Sequence, residues 1–224
     1  MWTKLFQTYR SNQILKNLVE DHARILEDSK SMYVKVLTLL YEKGDISHAH
    51  DFIYETDKRI NRSVQDVRRR LIEHLSLTGI VDLPASLILM SVLKDAERVG
   101  DYCKNLYEVA QRLDQSRHVS EYWDQIKTLQ YDVVPMFDDV KKAFMISDKE
   151  LAQKQMDRMR DITKRSDGLI DQLYKTDMPA NPAIGYALLT RYCKRVSSHL
   201  GNIATAVVVP LPMLDFLDEP RDKK

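Results

Sequence analysis

Glu97 and Asp101 stand four residues apart, so on a helix they share one face about one turn from each other. Asn105 and Glu108 extend that stripe. A second four-apart oxygen pair, Asp57 and Asn61, lies upstream, and Asp57 falls within an apolar seam of Ile53, Ile60, Val64 and Val67. A carboxylate in such a seam is costly unless something compensates its charge. If the two helices pack antiparallel, the pairs converge from opposite sides, and four oxygen donors suit Mg²⁺, Mn²⁺, iron or Zn²⁺. Like charges one turn apart repel by a few tenths of a kcal/mol on a bare helix, and a cation would reverse that sign. The competing arrangement is a solvated surface stripe neutralised by Lys94 or Arg98, because four-apart acidic pairs arise by chance among 33 acidic residues.

Few other residues offer chemistry. There is no nucleophile elbow, glycine-rich phosphate loop or HExxH string. A di-iron centre built in a helical bundle uses Glu-x-x-His motifs, and none occurs: Glu20 is followed by His22, and Glu73 by His74. His48 and His50 are two apart, on nearly opposite faces of a helix, so they do not chelate together. Cys103 and Cys193 are far apart and read as small buried apolar residues suited to a reducing cytoplasm.

The charge balance, 34 basic against 33 acidic residues, excludes a dedicated nucleic-acid groove. Arg68, Arg69 and Arg70 cluster, but acids lie close by, and a solvated helix face is the favoured reading over a polyanion site. The first ten residues contain no hydrophobic run of the signal-peptide kind, and Ile203–Leu214 is too short to span a bilayer and is broken by Pro210 and Pro212. Trp2, Leu5, Phe6 and Tyr9 make a helical stripe whose default partner is the bundle itself.

The elements that must position these residues are all helical. Only 6 glycines and 7 prolines interrupt 224 residues, too sparse a punctuation for strands. Six segments result. The first runs from about Ser11 to Lys43 and stops at Gly44. Asp45 caps the second, which ends at Gly79. Asp82 and Pro84 open the third, which reaches about Gln115. The fourth covers Val119–Met145, and Ser147 with Glu150 forms a capping box for the fifth, ending near Thr176. The sixth follows the connector TDMPANPAIG and runs to about Val209, before a proline-broken, extended tail. Helices this long must bury an apolar stripe against neighbours, so a bundle is expected.

An internal repeat organises it. ERVGDYCKNL, Glu97–Leu106, aligns with KRVSSHLGNI, Lys194–Ile203, through Arg-Val, Asn and the closing aliphatic residue. Gly44–Asp45 leads into Ala49 and Ile53 as Ser147–Asp148 leads into Ala152 and Met156. The chain reads as two three-helix units, 1–116 and 117–209, with 210–224 as the tail.

The stretch DLPASLILMSVLKDAERVGDYCKNLYEVA, Asp82–Ala110, resembles the signature helix of the PhoU family, and Asp57 and Asn61 match that family's four-apart pair on the preceding helix. The resemblance implies two three-helix repeats, each able to carry a multinuclear metal cluster, with Asp57, Asn61, Glu97 and Asp101 as the first-repeat ligands of divalent or iron ions. It implies a non-enzymatic, cytoplasmic regulator of phosphate uptake and phosphate-starvation signalling, docking on a phosphate transporter subunit, a sensor histidine kinase, or both, and it is compatible with a homodimer. An accessory of a sodium–phosphate cotransporter and a metal-free structural adaptor are the alternatives. The second repeat departs from the pattern: Lys194 and Ser198 replace the Glu and Asp, and Arg160 and Lys164 replace the Asp/Asn pair. Three cations there should expel a metal, leaving either an anion-binding patch or a degenerate face held by Asp157, Asp161 and Asp167. His199, adjacent to the degenerate motif and aligned with Tyr102, is expected to pack or hydrogen-bond rather than ligate.

Overall fold

A computed structural model describes residues 12–42, 49–113 and 121–214. The apolar stripe of Trp2, Leu5, Phe6 and Tyr9, the Asp45 cap and the extended reading of 215–224 lie outside the described residues. Six long helices follow one another: α1 (Gln13–Tyr41), α2 (His50–Thr78), α3 (Leu83–Arg112), α4 (Glu121–Ile146), α5 (Lys149–Leu173) and α6 (Ala180–Val208). The fold is all-α, a bundle of two three-helix units, as expected.

The ends of the helices have local causes. Asn12 caps α1; its Oδ1 accepts from the backbone N–H groups of Ile14 (3.0 Å) and Leu15 (3.5 Å). A 3₁₀ turn, Gly79–Asp82, reverses the chain between α2 and α3, and Pro84 occupies the first turn of α3. Asp82 is buried at this turn, where its Oδ2 accepts from Asn12 Nδ2 at 2.8 Å and meets His74 Nε2 at 2.8 Å. The capping box expected at Ser147 is corrected: Ser147 adopts a left-handed φ of 61°, and Asp148 caps α5 by accepting from Leu151 N–H at 2.9 Å. Residues 211–213, expected to be extended, instead form a short 3₁₀ turn.

The core runs through both halves without a break. It contains Leu15, Leu18, Tyr33, Leu89, Tyr107, Phe137, Phe144 and Tyr186, each contributing about 1.5–3 kcal/mol through burial. Both cysteines are buried and free. Helices α3 and α6 share the broadest interface between the two halves and run antiparallel. Their pairing repeats the register of the sequence motif. Asp95 of α3 meets His199 of α6 at 2.8 Å, and at the equivalent crossing Tyr102 of α3 meets Tyr192 of α6 with ring centroids 5.8 Å apart. Among the described residues no helix is long and apolar enough to cross a membrane.

Candidate functional site

Helices α2 and α3 lie side by side in opposite directions, which the polar contacts between them make plain. Arg68 meets Glu97 toward one end, Lys104 meets Asp57 further along, and Tyr54 meets Glu108 beyond that. The apolar seam read from the sequence exists: Ile53, Ile60, Val64 and Val67 are buried on α2, and Asp57 among them is only 7% exposed. Its charge is compensated by a side chain that the four-apart pattern did not single out. Lys104 Nζ donates to Asp57 Oδ2 at 2.8 Å.

The charges of the surrounding carboxylates also act on this ammonium. Burial alone would pull the Lys104 pKa down, but its bond to Asp57 and the negative charges of Asp57, Asp101 and Glu108 outweigh that and hold it up. Asp101 shows the other side of the balance. Burial pushes its carboxyl up, Lys104 and Arg98 pull it down, and the charges of Asp57 and Glu97 push it up again, with a net rise. Asp101 therefore lies within electrostatic range of both other carboxylates assigned from the sequence. Glu97 itself accepts from Arg68 Nη2 at 3.1 Å, and Arg98 Nη1 approaches Asp101 at 3.4 Å. Glu108 accepts from Tyr54 Oη at 3.1 Å, and burial, then this bond, raises the Tyr54 pKa. Asn61, half-buried, sits one turn along α2 from Asp57. Four acids, Asp57, Glu97, Asp101 and Glu108, thus face four cations, Arg68, Arg98, Lys104 and Arg112.

The donor set suits a hard cation, since three carboxylates and an amide oxygen lie along one helix pair. Yet among the described residues no three His, Cys, Asp or Glu side chains come together as a metal-ligand set. The position opposite Asp57 holds an ammonium instead. The residues fit a metal only in an arrangement from which Lys104 has withdrawn.

The second repeat inverts the signs. Lys194 Nζ, at the position of Glu97, donates to both oxygens of Asp167 at 2.6 and 2.8 Å. Arg160 donates to Asp157 at 2.8 Å, and Arg165 bridges Asp132 (2.7 Å) and Asp161 (3.0 Å). Ser198 turns its hydroxyl back to the Lys194 carbonyl at 2.8 Å. The acids named from the sequence therefore do hold this basic face. His199 packs and hydrogen-bonds: Nδ1 meets Asp95 Oδ1, and the ring stacks on Tyr102 with centroids 5.6 Å apart. Sequence reasoning missed Asp95 and Lys104. The signal for Lys104 was its place three residues after Asp101, on the same face.

A separate surface gathers at the α2–α3 turn. Leu77, Ile80 and Val81 are 86, 82 and 77% exposed, and Ile72, Leu83 and Leu87 are exposed beside them in sequence. The arginine cluster nearby is fully engaged: Arg68 with Glu97, Arg69 with Asp66 and Glu73, and Arg70 with Asp21 and Asp66.

Known proteins share this architecture. The family model described as PhoU domain matches residues 23–110 and again residues 126–207. The phosphate-specific transport system accessory protein PhoU homolog of Synechocystis sp. is 28% identical over 165 residues, covering 69% of this chain and 71% of that protein. The fold is similar to the crystal structure of the phosphate transport system regulatory protein PhoU from Streptococcus pneumoniae, with a TM-score of 0.77 at 19% identity over 86% of this chain and 92% of that one. It is also similar to PhoU from Pseudomonas aeruginosa, with a TM-score of 0.69 at 17% identity over 93% and 97% of the two chains.

Proposed function

The chain belongs to the PhoU family, and from that premise we propose that it is a cytoplasmic, non-enzymatic regulator that restrains phosphate uptake and phosphate-starvation signalling by docking on a phosphate transporter subunit, a sensor histidine kinase, or both. The relative from Synechocystis is named as an accessory protein of a phosphate-specific transport system, which supports the transporter side of the reading. Regulation by docking needs a surface rather than a pocket that turns over substrate. The observation that carries it is the apolar turn between α2 and α3. Large side chains exposed together in one short stretch are what a protein interface buries at its centre, and here Leu77, Ile80 and Val81 project from a helical hairpin.

The metal belongs to the same reading. Asp57, Asn61, Glu97 and Asp101 would hold a divalent or iron ion, and such an ion would supply charge neutralisation across α2 and α3. These two helices carry the docking turn between them, so stiffening the pair would stiffen the presented surface. Lys104, Arg68 and Arg98 keep the acids charge-neutral without it.

The test is a Leu77→Asp/Ile80→Asp variant. Both side chains are solvent-exposed, so the fold should stand while an interface buried on them should fail. Co-purification with the phosphate transporter and kinase of the same cell is expected to drop at least about tenfold. In cells lacking the protein, the variant is expected not to restore restraint on uptake. Full co-purification and full restraint would remove this turn from the docking surface.

A further inference from the structure

The repeated motif gives the crossing of α3 and α6 an approximate twofold symmetry. Tyr102 and His199 hold the same place in ERVGDYCKNL and KRVSSHLGNI, and in the fold they stack with ring centroids 5.6 Å apart. Asp95 meets His199 at one level, and Tyr102 meets Tyr192 at another. Midway between these levels lie Arg98 and Val99 of α3 and Arg195 and Val196 of α6. The valines are buried and close the seam, while both arginines are exposed at its rim. The arginines stand on the same side of it. Asn105 of α3 and Leu188 of α6 line one groove between the helices. Arg98 and Arg195 each lie seven residues, two turns, from one of them and so continue the same two rows.

Two guanidiniums at one level across a helix pair repel unless an anion lies between them. Little nearby supplies one. Helix α6 contains no acidic residue, and Arg195 makes no ion pair among the described residues. Arg98 reaches Asp101 only at 3.4 Å, and its side chain stays 53% exposed. Lys94 and Arg191, again in equivalent places of the two repeats, are exposed one turn outside the pair and have no ion-pair partner among the described residues. Asp95 is the acid within the seam, and it is buried and already bonded by His199 and Asn202. Arg68, Arg69 and Arg70 make the contrast, each with a carboxylate oxygen within 3.1 Å. The charge along the groove is also confined to its centre. One step of seven along each row brings Asn105 and Leu188 in one direction, and Ser91 and Asn202 in the other, all uncharged. A polyanion needs a row of cations, and this groove offers a single focus.

We propose that Arg98 and Arg195 form a binding site for one small tetrahedral oxyanion, inorganic phosphate, at the centre of the α3–α6 crossing. Each planar fork donates paired hydrogen bonds to phosphate oxygens, and Lys94 and Arg191 add attraction at longer range. The inference goes beyond the docking and metal readings and needs neither. Helix α3 belongs to the first repeat and α6 to the second, so the bound ion joins the halves, and its loss leaves like charges facing each other. The protein then responds to phosphate within its own fold.

The full chain, prepared without phosphate, is titrated with sodium phosphate at constant ionic strength while its NMR signals are followed. Saturable shifts are expected around Arg98 and Arg195, with a dissociation constant on the order of 1 mM for so exposed a site. Arg98→Gln and Arg195→Gln should each weaken binding at least about fivefold, and the double variant should lose it. Both positions are exposed, so the fold should stand. Arg24→Gln removes an exposed arginine of α1 that pairs with Asp21, and it should bind as the wild type does. Phenyl phosphate, a stand-in for a phosphoryl group on a larger molecule, is expected to bind no more tightly than the free ion. The proposal would be overturned by any of four results: no saturable shift in the wild type, unchanged binding in the double variant, equal weakening in Arg24→Gln, or binding of phenyl phosphate without inorganic phosphate.

Discussion

The two repeats place their second and third helices in the same relation but reverse the charge at one matched position, Glu97 in the first and Lys194 in the second. In the first, an acid on α3 is met by a base on α2, Glu97 with Arg68 at 3.1 Å. In the second, a base on α6 is met by an acid on α5, Lys194 with Asp167 at 2.6 Å. The apolar faces beneath are alike, with Ile60 and Val64 buried on α2 and Met156 and Met159 on α5. Each pair also has a close approach, at different positions of the motif. A Cβ on Gly100 would come within 3.0 Å of Ile60 Cδ1, and one on Gly201 within 2.7 Å of Met159 Cγ. Burial and close packing therefore fix the helix pairs, while the polar face above them is free to change sign. One face carries a buried acid, Asp57, neutralised by Lys104, and the other is an ordinary ionic surface.

That division of labour predicts large effects where the repeats share a core and small ones where they differ in charge. The largest belongs to His22 on α1, which lies fully buried against Phe144 of α4, with ring centroids 5.0 Å apart. Burial lowers its pKa from 6.5 to about 4, only partly opposed by a hydrogen bond to the Val92 backbone. The unfolded chain therefore takes up this proton near pH 6.5 and the folded chain only near pH 4. Stability is intact above the unfolded value and falls as pH drops through that window, by about 3 kcal/mol in all. Urea titrations in steps from about pH 7.5 down to about pH 4 should show the decline, and His22→Phe should flatten this part of it. An unchanged slope in His22→Phe would mean that the seam between α1 and α4 does not exclude the proton.

The next effect probes the seam between α3 and α6. Two equivalent crossings there carry different chemistry, Asp95 with His199 and Tyr102 with Tyr192. Asp95 is 6% exposed and is also bonded by Asn202 at 3.1 Å. Replacing His199 with Leu leaves that buried carboxylate one partner short, for a cost of about 2 kcal/mol. Tyr102→Leu removes ring contacts from a half-buried position and should cost about 1 kcal/mol. Thermal and urea unfolding of the two variants will rank them. The reverse order would mean that ring packing, not the polar clasp, joins the halves.

How much of this could be read from the residues follows from which forces act locally. Helix number, order and the burial of Asp57 in its seam are set by periodicity and breakers, and these appear in the sequence directly. The pairing of Asp57 with Lys104 was partly legible: the helix phase puts Lys104 on the face of Asp101, but a lone lysine in a charged chain carries no mark of its partner. Asp95 and His199 are separated by 104 positions and meet only after the halves dock, so no local pattern reveals them. The Asp148 cap was missed by one residue because Ser and Asp side chains both accept readily from backbone N–H groups. Only the left-handed φ of 61° at Ser147 decides between them.

The smallest effect bears most directly on the charge inversion. Lys194→Glu sets a carboxylate opposite Asp167, whose side chain is 54% exposed, so water and salt screen the repulsion. The cost should stay below about 1 kcal/mol, vanish in about 1 M NaCl, and be recovered at low salt by adding Asp167→Lys. Such a result would mean that α5 and α6 accept either sign, as α2 and α3 accept the opposite one, because the apolar layer beneath has already chosen their pairing. A cost above about 2 kcal/mol that salt does not relieve would mean the reverse. Lys194 would then be part of what holds the second repeat together, through its pair with Asp167 on α5.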